Sequence, residues 1–179
     1  SDFIGHGYDQ LMGVATTSRG AVVFAEYGTG AVHLSDGGEI REIASGLNKP
    51  MGVAVQDNTV FVAEAGAGRI SMIRNGSSVE TLVTGLGRPE GLCVSKGMLY
   101  AVDTTAKTLF AIDPMSGDVT TIVSGLPVGA PAGITPKFLG PIGDMSGPMV
   151  NFAGIAAGSD GTLYLSGDGE GSVIAVGPG

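Results

Sequence analysis

Tryptophan is absent from this chain of 179 residues, and cysteine occurs once, at Cys93. A single cysteine excludes an internal disulfide. Its setting in the apolar run "GLCV" reads as a small buried hydrophobe rather than a reactive thiol. Charge is scarce too: 15% of residues are charged, and nine Lys and Arg stand against 17 Asp and Glu, for a net charge of −8. That balance argues against nucleic acid and against an anionic membrane surface as partners. No apolar run is long enough to span a bilayer, so a soluble chain without a transmembrane segment is expected. No stretch has the 3.6-residue periodicity of an amphipathic helix. What is abundant is glycine, 32 residues spread between short apolar runs, the mark of an all-β chain with many tight turns.

The strongest signal is internal repetition. "HGYDQLMGV", "SGLNKPMGV" and "TGLGRPEGL" align, so Gly13, Gly52 and Gly91 recur at one constant interval (52 − 13 = 91 − 52). A fourth copy, "VNFAGI", puts Gly154 beyond Gly91 by that interval plus an extra segment. A second landmark recurs as "VVFAEYGTG", "VFVAEAGAG", "LYAVDTTAK" and "LYLSGDGEG", placing Glu26, Glu64 and Asp103 in equivalent slots and Ser166 in the fourth. "REIASGL", "ETLVTGL" and "TTIVSGL" close the repeats. Each repeat reads as four strands separated by turn formers such as Asn75-Gly76. Four-stranded repeats of about 40 residues are β-propeller blades. The expected fold is therefore one all-β propeller domain over 1–179. Its repeats cover about 6–44, 45–83, 84–126 and 151–179, with an insertion at 127–150.

The motifs "GLNKPMGVAV…VFVAEAGAGRI" and "GLGRPEGLCV…LYAVD" resemble the blades of NHL-repeat and senescence-marker/gluconolactonase-like propellers. That resemblance implies six blades. The chain holds about four, opening on a segment that aligns with a fourth strand and closing on three strands, so either it forms a complete four-bladed ring or a second polypeptide completes a larger one. With Ser1 rather than Met at the start, a second polypeptide and a six-bladed ring are the expectation.

In a propeller the first strand of each blade lines the channel. The loops before it and after the second strand share one end. Met12, Met51, Glu90 and Ala153 precede the repeated glycines, and Glu26, Glu64 and Asp103 end the second strands. Carboxylates gathered at one mouth repel one another, which a cation would relieve, and hard oxygen ligands suit Ca²⁺, Mg²⁺ or Mn²⁺. The resemblance implies a divalent ion at that mouth on Glu26, Glu64, Glu90 and Asp103. This chain carries Glu90-Gly91 where the resembled families have Asn-Gly. The competing reading makes these acids turn caps that accept backbone N–H bonds.

His6 departs from Ser45, Thr84 and Ser124 of the other copies and is a candidate general base beside Glu64 and Glu90. Lys49 and Arg88 hold equivalent positions, suited to an anionic group of a small-molecule substrate. Tyr8 and Met51, with Phe138 in the proline-rich insertion, would complete a pocket. The resulting expectation is a lactone or ester hydrolase at the channel mouth. The alternatives are a lyase of the virginiamycin B lyase type, whose blades are similar, and a non-catalytic NHL-type binding module.

Overall fold

The computed structural model describes residues 4–129 and 152–177. Among these residues fifteen strands form four antiparallel sheets. The first sheet holds β1 (Leu11–Thr16), β2 (Val22–Glu26), β3 (Ala31–Asp36) and β4 (Glu39–Ala44) in chain order. The second repeats the pattern with β5 (Pro50–Gln56), β6 (Thr59–Glu64), β7 (Arg69–Arg74) and β8 (Ser78–Val83). The third follows with β9 (Pro89–Ser95), β10 (Met98–Asp103), β11 (Thr108–Ile112) and β12 (Val119–Ser124). The fourth has three strands, β13 (Ile155–Ala157), β14 (Leu163–Gly167) and β15 (Ser172–Val176). This is the expected propeller architecture, and among the described residues no helix is long and apolar enough to cross a membrane.

The hairpins follow the turn chemistry of the sequence. Gly37-Gly38, Asn75-Gly76 and Lys96-Gly97 all take positive φ at both positions, which matches the right-handed twist of the strands they join. At Asp113 the carboxylate accepts the N–H groups of Met115 and Ser116, at 2.7 and 3.1 Å, and so closes the β11–β12 turn.

The two inner sheets are apolar on both faces because each packs between two neighbours. Val23, Ala25 and Val32 of the first sheet meet Val53, Val60, Val62 and Ile73 of the second. Phe61, Ala63, Ile70 and Met72 on the far side of the second meet Leu92, Leu99, Ala101 and Ile112 of the third. Val102 and Leu109 of the third meet Leu163 and Leu165 of the fourth.

The repeated glycines explain how the inner strands approach so closely. A methyl group at Gly13 would overlap the Met51 carbonyl oxygen, one at Gly52 the Glu90 carbonyl and one at Gly91 the Ala153 carbonyl. Gly154 is different: the nearest atoms to such a methyl, on Phe152 and Ser166, are 3.5 and 3.6 Å away. Among the described residues the ladder of glycine-to-carbonyl contacts thus stops at the fourth blade, and the four sheets form an open arc.

Candidate functional site: the rim of the channel

Backbone bonds stitch the predicted mouth into a rim. Tyr27 N–H donates to Gln10 O, Ala65 N–H to Lys49 O and Thr104 N–H to Arg88 O, tying each β2–β3-type loop to the entry loop of its own blade. Leu47 N–H donates to Gly30 O and Leu86 N–H to Gly68 O, linking each blade to the next.

The three repeated acids are buried at this end, and each serves its own blade. Asp103 accepts four backbone N–H groups, from Gly87 (2.6 Å), Arg88 (3.0 Å), Thr105 (3.0 Å) and Ala106 (2.9 Å). Glu26 accepts Asp9 N–H at 2.7 Å and pairs with His33 Nε2 at 2.8 Å. Glu64 accepts Asn48 N–H at 2.8 Å, Arg69 through Nε (2.7 Å) and Nη2 (2.9 Å), and the Ser71 hydroxyl. Burial alone would raise the Glu26 and Glu64 pKa values. The donors outweigh it and hold both below the ordinary value of 4.5.

The acids therefore do not share a small space. Among the described residues no three His, Cys, Asp or Glu side chains stand close enough to hold an ion. The repulsion expected of clustered carboxylates is absent because each one is neutralised or capped where it stands. The fourth slot also differs from the Ser166 that the interval suggested. Ile155 pairs with Leu165 as Leu92 pairs with Ala101, so Gly167, not Ser166, is the counterpart of Asp103. Asp168 accepts Gly129 N–H at 2.8 Å, which pins the start of the insertion.

Glu90 is the exception among the acids, since it draws several blades together. It is buried, and its Oε1 accepts Arg88 Nε at 2.7 Å and the Thr104 hydroxyl at 3.0 Å. Its Oε2 accepts Ala153 N–H from the fourth blade at 2.8 Å. Arg88 Nη2 also reaches Met51 Sδ in the second blade at 3.6 Å, and Tyr27 in the first blade interacts with the same guanidinium. Burial opposes the Arg88 charge, but Glu90 and then Tyr27 outweigh it, and the pKa is raised. Lys49 Nζ lies 5.9 Å from the Tyr27 ring centroid, a cation–π distance. Tyr27, Lys49, Met51, Arg88 and Glu90 thus converge from three successive blades.

Tyr8 packs against Phe24 and His33 on the outer side of the first blade, with ring centroids 5.0 and 5.1 Å away. His6 is exposed ahead of β1. Phe138 lies outside the described residues. Tyr27 escaped the sequence reading, although the alignment carried its signal: a tyrosine follows the repeated acid where the next blades have Ala65 and Thr104. Cys93 is part of the packing, and burial pushes its thiol up to about 12.

No family model matches this chain, and no curated protein does. Solved structures do. Virginiamycin B lyase from Staphylococcus aureus is 14% identical, with a TM-score of 0.64 over 94% of this chain and 55% of that one. A nidogen/laminin complex is 15% identical, with a TM-score of 0.64 over 94% of this chain and 65% of that one. The computationally designed Ika4 protein is 15% identical, with a TM-score of 0.59 over 98% of this chain and 94% of that one. At these identities the likeness establishes the propeller fold. The chain spans about half the length of the lyase.

Proposed function

We propose that the rim binds a small molecule through an anionic group held between Lys49 and Arg88, with Tyr27 and Met51 as its apolar floor. The supporting observation is the convergence of those four residues from three blades, with Arg88 already oriented by Glu90 at 2.7 Å. Arg88 offers planar donors to a carboxylate, while Lys49 is an exposed point charge. Binding in this reading does not require a divalent ion. Ca²⁺, Mg²⁺ or Mn²⁺ on Glu26, Glu64, Glu90 and Asp103 would have to displace the donors that those carboxylates now accept.

Calorimetric titration with a panel of small carboxylates, their lactones and their esters tests the proposal. A carboxylate in the panel should bind. Arg88→Ala should weaken it about tenfold or more, as for a hydrogen bond to a charged group, and Lys49→Ala by less. If no compound binds, or if neither variant changes the affinity, the proposal fails.

The same rim supports a catalytic reading, hydrolysis of a lactone or ester or the elimination of a virginiamycin B lyase-type enzyme. Glu90 is favoured as its base because it is the acid beside the convergent cations. Turnover of lactones or esters, lost in Glu90→Gln with ligand affinity retained, would support it; loss in His6→Ala alone would move the base to His6. Binding without turnover leaves the ligand-binding module.

A further inference from the structure

The two ends of the arc expose surfaces that the interior blades bury. Val14 in the first blade is 67% exposed, whereas its equivalent Val53, packed against the preceding blade, is 4%. On the far side of the fourth blade Val173 is 79% exposed, whereas its equivalent Ile70 is 0%. Tyr164 on that same face is 45% exposed, against 2% for Phe61. These faces are the two halves of one interface, which recurs three times within the chain.

The ends are also unequal in strands. Among the described residues the fourth sheet has three strands, with β15 at its outer edge. Ahead of β1, by contrast, the chain carries a spare outer-strand element. Ile4 precedes Tyr8 by the same step in sequence that separates the fourth-strand residue Ile43 from Leu47. Ile43 is 3% exposed in the core between two blades, whereas Ile4 is 48% exposed and outside any strand, with Gly5 beside Ile40 of its own first blade. Among the described residues an element unpaired at one end matches the edge left open at the other, and the open ladder at Gly154 shows that the two ends do not meet within one molecule.

We propose that a second copy of this chain covers both ends, head to tail. The face of β1 in one copy packs on the face of β14 and β15 in the other. The Ile4 segment runs beside β15, and the carbonyl of Met12 meets Gly154 as that of Met51 meets Gly13. The interface is heterologous, and two identical junctions close it into a ring of eight blades. This differs from the six blades implied by the family resemblance, because the surface that fits each end is already carried by the chain itself. It also encloses the channel whose rim carries Arg88, and it does not depend on what that rim binds.

Light scattering of the full chain during size exclusion tests this, with two single-face variants at exposed positions, Val14→Asp and Val173→Asp. Far-UV circular dichroism and the urea midpoint confirm that each folds. The wild type should run at twice the chain mass of 17.8 kDa. Each variant alone should run as a monomer, its self-association weakened at least a hundredfold. Mixing the two should bring back dimers held by one of the two junctions, because Val14→Asp keeps an intact fourth-blade face and Val173→Asp an intact first-blade face, while the other junction carries both substitutions. A monomeric wild type, a variant that stays dimeric alone, or a mixture that stays monomeric would each overturn the proposal. So would wild-type assemblies larger than the dimer, since they would show that the junctions do not close.

Discussion

Adding one carbon at Gly52 should damage this fold far more than the same change at Gly154. At Gly52 the new methyl would overlap the Glu90 carbonyl oxygen and stand 2.8 Å from Leu92 N, both backbone atoms of the next inner strand. Neither can rotate away, so the inner strands must separate. Overpacking of this kind costs about 1–3 kcal/mol, and a backbone obstacle places it near the upper end. Alanine also restricts the unfolded chain, which returns about 0.4–1 kcal/mol at positions whose φ is not left-handed, as here. The net expectation for Gly52→Ala is a loss of about 2 kcal/mol, or about 4–8 °C in melting temperature for a domain of this size. At Gly154 the nearest atoms are 3.5 Å away, so Gly154→Ala should be neutral or stabilising by a few tenths of a kcal/mol. Urea melts followed by circular dichroism, in a Val14→Asp background that removes association, give both numbers. Equal losses at the two positions would refute the open ladder, and no loss at Gly52 would refute its steric basis.

Glu64→Gln should destabilise the chain by about 3 kcal/mol, because it strips Arg69 of its carboxylate and weakens the bonds from Asn48 and Ser71; a thermal melt measures it. Glu26 and Glu64 both have folded pKa values below 4.5, so the stability they contribute is fully present above pH 4.5 and is lost as pH falls through the lowered values. Urea midpoints should therefore be flat from pH 7 to about 5 and fall below 4.5, with a smaller fall in Glu64→Gln. Ca²⁺, Mg²⁺ and Mn²⁺ should each leave the melt unchanged. A gain of about 2.7 kcal/mol, the linkage value at a hundredfold excess over Kd, would show that the carboxylates give up their present donors for an ion.

The blades were legible because one constant interval survives in glycines, whose reason is steric, and in hairpin turns that demand positive φ. The site was legible only in part. Placing Glu26, Glu64 and Asp103 at one end of the channel was a matter of topology. Whether their side chains point toward the axis or into their own entry loops depends on local donors, and Asp9, Asn48 and Gly87 supply them. Ser166 was misplaced by one residue because fourth-blade spacing alone does not fix register, and a one-residue slip exchanges the two faces of a strand. Arg88 and Lys49 were visible as basic residues at equivalent positions of the repeat. Their meeting at Tyr27 required the curvature of three blades.

Among the described residues the fourth sheet packs on one side only, and Cys93 lies in the seam that holds it to the rest. Detachment of that sheet by itself would bare the one sulfhydryl in the chain while leaving the other three blades assembled. The rate at which a thiol reagent modifies the native protein is then a clock for the loosening of a single blade, readable without an engineered cysteine.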